Sequence, residues 1–127
     1  GIYSQFEVQR GLPIRQLLAH FEKIGDTTWR ISRRMRAMVE FRRQNLLDDF
    51  SRLGRVDLIL CRNVLMYFDR PTRQSVLQRM QRTLAPDGAL VLGAAETLIG
   101  MDSDLVSSRD TPGCYRWTAE RPLDSVA

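Results

Sequence analysis

The sequence predicts an α/β protein built on a mostly parallel sheet with flanking helices. Three observations lead there. Val56–Cys61 and residues 89–93 are nearly unbroken apolar runs, the pattern of strands covered on both faces. Between them Asp69 offers an N-cap, Pro71 an early helical position, and Val76, Leu77, Met80 and Leu84 an apolar stripe at helical spacing. A strand, a helix and a strand in so short a stretch make a βαβ unit, which almost always crosses over right-handed onto a parallel sheet.

The remaining elements follow in chain order. Gly11, Leu12 and Pro13 open a helix whose Ile14, Leu17, Leu18 and Phe21 share one face. His20 lies beside that stripe and reads as a packing or surface residue. Ile24, Gly25, Asp26 and Thr27 form a tight turn before the β-favouring Thr28, Trp29, Arg30 and Ile31, which predicts a small hairpin over about residues 20–36. Val39, Glu40 and Phe41 are a short candidate strand. Asn45 then caps a short helix carrying Leu46, Leu47, Phe50 and Leu53, or turns its amide to a ligand. Residues 85–88 (Ala, Pro, Asp, Gly) stop the central helix, residues 102–112 are a polar loop, and residues 113–118 are a last strand.

With 127 residues, 43% apolar and 27% charged, the chain has the size and composition of one folded domain, not of a disordered or fibrous sequence. Its net charge of +4 is uneven: residues 1–55 carry 11 basic and 6 acidic side chains, residues 56–127 carry 8 and 9. Arg30, Arg33, Arg34, Arg36, Arg42 and Arg43 crowd the first part, so one reading of the chain is a non-catalytic module that offers an arginine face to an acidic protein or to nucleic acid. Cys61 and Cys114 lie far apart, Cys61 within an apolar run, which fits reduced thiols. His20 is the one histidine, so no Cys/His spacing suits zinc, and no metal is expected. The longest apolar run, residues 88–95, falls far short of the roughly 20 residues of a membrane helix, and a soluble, cytoplasmic protein without membrane insertion is expected.

In open parallel α/β sheets, ligands bind beyond the carboxyl ends of the strands. That rule selects Arg62, Asn63 and Tyr67 after the strand ending at Cys61, Glu96 after the one ending at Gly93, and Asn45 after the candidate strand at residues 39–41. Three loops converging on one rim supply an arginine, two amides, a phenol and a carboxylate, with no histidine base and no activated cysteine.

The wording of these segments is more specific. Residues 57–69, DLILCRNVLMYFD, resemble the signature of the CheR-type chemotaxis receptor methyltransferases. YSQFEVQRGLP at residues 3–13, VEFRRQNLLD at 39–48 and LAPDGALVLGAAETL at 84–98 agree with the same family in the same order. The resemblance implies a Rossmann-like fold and S-adenosylmethionine as methyl donor, with S-adenosylhomocysteine as product. It implies glutamate side chains of methyl-accepting receptors as acceptors. Asn45 and Leu46 match the pair at the donor's adenosine end, Arg62 and Asn63 the pair lining the donor pocket, and Arg62 and Tyr67 positions that set donor against acceptor. The hairpin matches a small β-subdomain that contacts receptor tails.

Two departures accompany it. The family has a histidine and a serine where this chain has Ala94 and Ala95, which leaves Glu96 without an assigned role. The glycine-rich donor loop and the first two strands of such a domain have no counterpart in residues 1–127, so the chain is expected to be the later part of a larger enzyme. The strand at Val56–Cys61 is then left with an open edge, and weak donor binding and self-association are expected of the isolated chain.

Overall fold

The computed structural model describes residues 1–118, which form two compact units, one over residues 1–43 and one that begins at Gln44.

The first unit is a three-stranded antiparallel sheet with short helices. β1 (Ile2–Ser4) leads into α1 (Gln5–Gln9), followed by α2 (Ile14–His20), β2 (Phe21–Lys23), β3 (Thr28–Ile31) and α3 (Arg33–Ala37). The strand order is β1-β3-β2, with Trp29 opposite both Tyr3 and Lys23. Ser4 and Glu7 start α1 with a capping box: Glu7 N–H donates to Ser4 Oγ, and Ser4 N–H donates to Glu7 Oε2 at 2.7 Å. Val8, Leu17 and Trp29 make the small core, with Tyr3 and Phe21 ring edge to face at a centroid distance of 5.4 Å. Trp29 Nε1 donates to Gln5 Oε1 at 2.7 Å, which satisfies the one polar atom of that indole.

The hairpin expected here is present as β2 and β3, and it gains a third strand, β1. The helical stripe is shorter than expected. Phe21 is extended and belongs to β2, and only Leu17 of the stripe is buried in α2, with Ile14 and Leu18 exposed. The candidate strand at residues 39–41 does not form. A strand needs a neighbour for its N–H and C=O groups, and among the described residues no strand lies beside it; Val39 N–H instead donates back to Arg36 O at 3.2 Å, prolonging the end of α3.

In the second unit a turn at residues 45–48 and a 3-10 helix (Ser51–Leu53) precede β4 (Val56–Cys61). A second 3-10 helix (Leu65–Tyr67), α4 (Arg70–Thr83), β5 (Leu84–Leu92), β6 (Leu105–Ser107) and β7 (Cys114–Trp117) complete it. The sheet order is β4-β5-β7-β6. β4 and β5 are parallel and joined through α4, as the βαβ reading requires. Asp69 caps α4 by accepting from Thr72 N–H at 3.0 Å, and Pro71 stands in its first turn, where no N–H is missed. Val76, Leu77 and Met80 carry the buried face of α4 onto Cys61, Leu90 and Leu92.

Four details depart from expectation. The sheet is mixed rather than mostly parallel, because β5–β7 and β6–β7 are antiparallel and β6–β7 is a hairpin with too little chain for a crossover. β6 arises inside the segment read as polar loop; its three residues are too few to show an alternation. The helix hands over to β5 at Leu84 without a separate stop: Leu84 pairs with Val56, Pro86 to Gly88 bulge out, and register resumes at Leu58↔Ala89. Finally, β4 is not covered on both faces. Cys61 is buried, whereas Leu58 and Leu60 are 55% and 67% exposed, and among the described residues β4 is hydrogen-bonded to β5 alone. No described helix is long and apolar enough to cross a membrane.

Candidate functional site

Parallel pairing decides what lies at the end of the sheet. Cys61 is opposite Leu92, so the residues that follow, Arg62 and Asn63 on one side and Gly93 on the other, leave the sheet side by side. Asn63 has φ +57, the left-handed region that asparagine tolerates better than most residues, and the chain turns there. Gly93 is required by contact: a Cβ on it would lie 2.9 Å from Asn63 N and 2.8 Å from Glu96 Oε2.

Glu96 gathers the two loops. Its Oε2 accepts from Asn63 N–H at 2.7 Å and from Gly93 N–H at 2.8 Å, and its Oε1 accepts from Val64 N–H at 2.9 Å and Met66 N–H at 3.2 Å. Burial alone raises the carboxyl's pKa and is the largest single influence, but the four backbone donors together outweigh it and hold the group below the usual range. The opposite side of the same loop is held by a cation: Arg73 on α4 donates to Leu65 O and Phe68 O, both at 3.1 Å. Further along, Arg70 donates to Gly100 O at 2.6 Å, and Gln74 exchanges two hydrogen bonds with the backbone of Asp102. An anion on the amides and cations on the carbonyls thus fix the backbone of both loops.

A cleft of about 530 Å³ opens here, lined by Arg62, Gly93, Ala94, Glu96, Gly113 and Tyr115. Among the described residues the Arg62 guanidinium has no hydrogen-bond or ion-pair partner. Tyr67 stands at the end of its 3-10 helix, 80% exposed, anchored through its N–H to Val64 O. Asn45 accepts from Leu47 N–H at 3.0 Å through Oδ1, which shapes its turn and leaves the amide NH₂ group free to donate. Leu46 packs against the core beside Val64 and lines an apolar groove of about 310 Å³ along β4, with Phe50, Leu60 and Cys61.

The structure therefore brings Arg62, Asn63 and Glu96 together, and it places Leu46 in the groove along β4. Tyr67 is at the outer end of the Arg62 loop. Cys61 is no nucleophile: burial, with the Glu96 charge nearby, pushes its thiol up to about 11. Among the described residues no group of side chains suits a metal ion. Sequence reasoning placed Glu96 on the rim without a role, and it did not single out Arg73. The signal for Glu96, a carboxylate in a loop just past a buried strand, selects the rim but says nothing of backbone partners; Arg73 carries no signal of its own.

Comparison with known proteins identifies the family. The family model "CheR methyltransferase, SAM binding domain" matches residues 1–113. The chain is 38% identical over 113 residues to Chemotaxis protein methyltransferase Cher2 of Pseudomonas putida and 39% identical over 113 residues to Chemotaxis protein methyltransferase 1 of Vibrio cholerae. Each match covers 89% of this chain and 41% of the relative. A Chemotaxis protein methyltransferase of Borreliella burgdorferi is 32% identical over 101 residues, 79% of this chain and 35% of that protein. The chain thus spans well under half the length of these curated relatives, and the residues the family model matches take in the loops at the ends of β4 and β5: the chain belongs to the CheR methyltransferase family, within the SAM binding domain.

Proposed function

We propose that the chain works as the later part of a Rossmann-like catalytic domain, in a longer parent enzyme that methylates glutamate side chains of chemotaxis receptors from S-adenosylmethionine. The observation that carries the reading is the pair of clamped loops at the carboxyl ends of the parallel strands β4 and β5, where Arg62, Asn63 and Gly93 meet. The residues suit the donor. Asn45 has a free amide donor, Leu46 an apolar groove of the kind an adenine ring fills, and Gly93 lines the cleft beside Arg62.

When bound, S-adenosylmethionine supplies an electrophilic methyl group. The chain's own residues supply binding and orientation. A glutamate acceptor is already ionised at neutral pH, with a reference pKa of about 4.3, so the site needs no general base and its lack of histidine is no obstacle. Arg62, unpaired in the cleft, holds the acceptor carboxylate, and Tyr67 orients it toward the methyl group; together they restrict the reactants to an in-line geometry and displace water.

The isolated chain, in which β4 pairs with β5 alone among the described residues, binds the donor weakly and pairs with a second copy through the other edge of β4. Transfer of labelled methyl groups by the full-length protein to receptor glutamates, released as methanol in alkali, tests the function. Label that stays on protein after alkali, or no transfer, overturns it.

A further inference from the structure

We infer that Glu96 is the positioning residue of this site, the group that holds residues 62–66 in the conformation presenting Arg62 and Asn63 beside Gly93. The clamp rests on geometry alone; its effect on turnover rests on the methyl-transfer reading.

Four backbone N–H groups from two loops, those of Asn63, Val64, Met66 and Gly93, converge on this one side chain. Convergent amide donors of this kind call for an anion, and charge-assisted bonds to a carboxylate are the strong class. Remove the carboxylate and four donors at a partly enclosed site lose their acceptor, and Asn63, at a left-handed φ of +57, loses the partner of its N–H. The fit is specific to glutamate. Each oxygen takes two donors, so glutamine puts an NH₂ group against two N–H groups, and aspartate falls one methylene short of bridging both loops. Gly93 belongs to the same device, since any side chain there strikes Asn63 and Glu96.

The clamp also explains why Arg62 stays available. Glu96 lines the same cleft as Arg62, yet both its oxygens are committed to the backbone and the two do not pair. The anion nearest the cleft is thereby kept from neutralising the guanidinium that a ligand carboxylate would meet. The small side chains of Ala94 and Ala95, between Gly93 and Glu96, leave this short turn to be organised by Glu96 itself, through Glu96 N–H to Gly93 O at 2.9 Å.

The test compares Glu96→Gln and Glu96→Ala in the full-length protein by amide hydrogen exchange and by methyl transfer. Exchange at Asn63, Val64, Met66 and Gly93 is expected to rise at least tenfold in both variants, with Leu77 and Leu90 unchanged. The kcat/KM for the methyl donor is expected to fall at least tenfold in both, so that the isosteric glutamine does not rescue. Unchanged exchange at the four amides overturns the clamp. A uniform rise across α4 and β5 reduces Glu96 to a stability residue and overturns positioning, as does a local rise with kcat/KM within twofold of wild type. A wild-type protein that transfers no methyl group overturns the methyl-transfer reading instead, and the exchange pattern then decides the clamp by itself.

Discussion

Asn63 donates its backbone N–H to Glu96 Oε2 at 2.7 Å across a separation of 33 residues, and it does so from a left-handed φ of +57. Two loops that the sequence reading brings only to the same rim are in this way one object. The consequences can be measured.

The first concerns pH. The Glu96 carboxyl is held below its ordinary value in the folded chain, so its contribution to loop order is fully present above the unfolded value of about 4.3 and is lost as pH falls through the lower folded value. Nearby, the Cys61 thiol, pushed up to about 11, stays neutral over this range. Amide chemical shifts of Asn63 and Gly93 are expected to titrate together with a midpoint below 4.3; a midpoint above that contradicts the bonding pattern.

The second concerns the core. Leu77 is fully buried between α4 and the sheet, so Leu77→Ala removes its transfer energy and leaves a cavity, at a cost of about 2–5 kcal/mol. Denaturant unfolding measures it, and a loss under about 1 kcal/mol would mean that the site collapses around the smaller side chain.

Tyr67 separates stability from turnover. Its side chain is 80% exposed, so Tyr67→Phe is expected to leave thermal stability unchanged while lowering turnover in the full-length enzyme far more than donor affinity. Unchanged turnover removes the phenol from the proposed site.

The edge of β4 predicts association. Leu58 and Leu60 are exposed on a strand whose outer backbone has no partner among the described residues. Sedimentation of the isolated chain is expected to show dimers or larger species that Leu60→Lys disperses, since an edge lysine opposes strand pairing. A monomer at high concentration contradicts the expectation.

The arginines of the first unit allow a rival test. Arg33, Arg34 and Arg36 are exposed on and around α3, whereas Arg42 is spent on Glu40 at 2.5 Å. If the arginine face is only a solvated surface, retention of random nucleic acid is weak and disappears by moderate salt. Tight retention with a steep salt slope would favour the binding-module reading, because each phosphate contact adds about one to that slope.

Much of the second unit was legible in the sequence because its signals are local. Asp69 and Pro71 start α4, the 3.6-residue spacing of Val76, Leu77 and Met80 selects its buried face, and the apolar runs at β4 and β5 announce parallel neighbours. The position of Arg62 and Asn63 at a strand end follows from the same signals, as does the family likeness of the surrounding words. Tertiary structure alone decided the rest. Whether residues 39–41 become a strand depends on a neighbour to receive their hydrogen bonds, which no local pattern encodes. β6 exists because β7 lies beside it. Glu96 looked unassigned because its partners are backbone amides of residues 63, 64 and 66, which carry no side-chain signature and meet it only after α4 has returned the chain to lay β5 against β4. Side-chain chemistry is written residue by residue along the sequence, whereas the convergence of backbone dipoles on one carboxylate is a property of the fold.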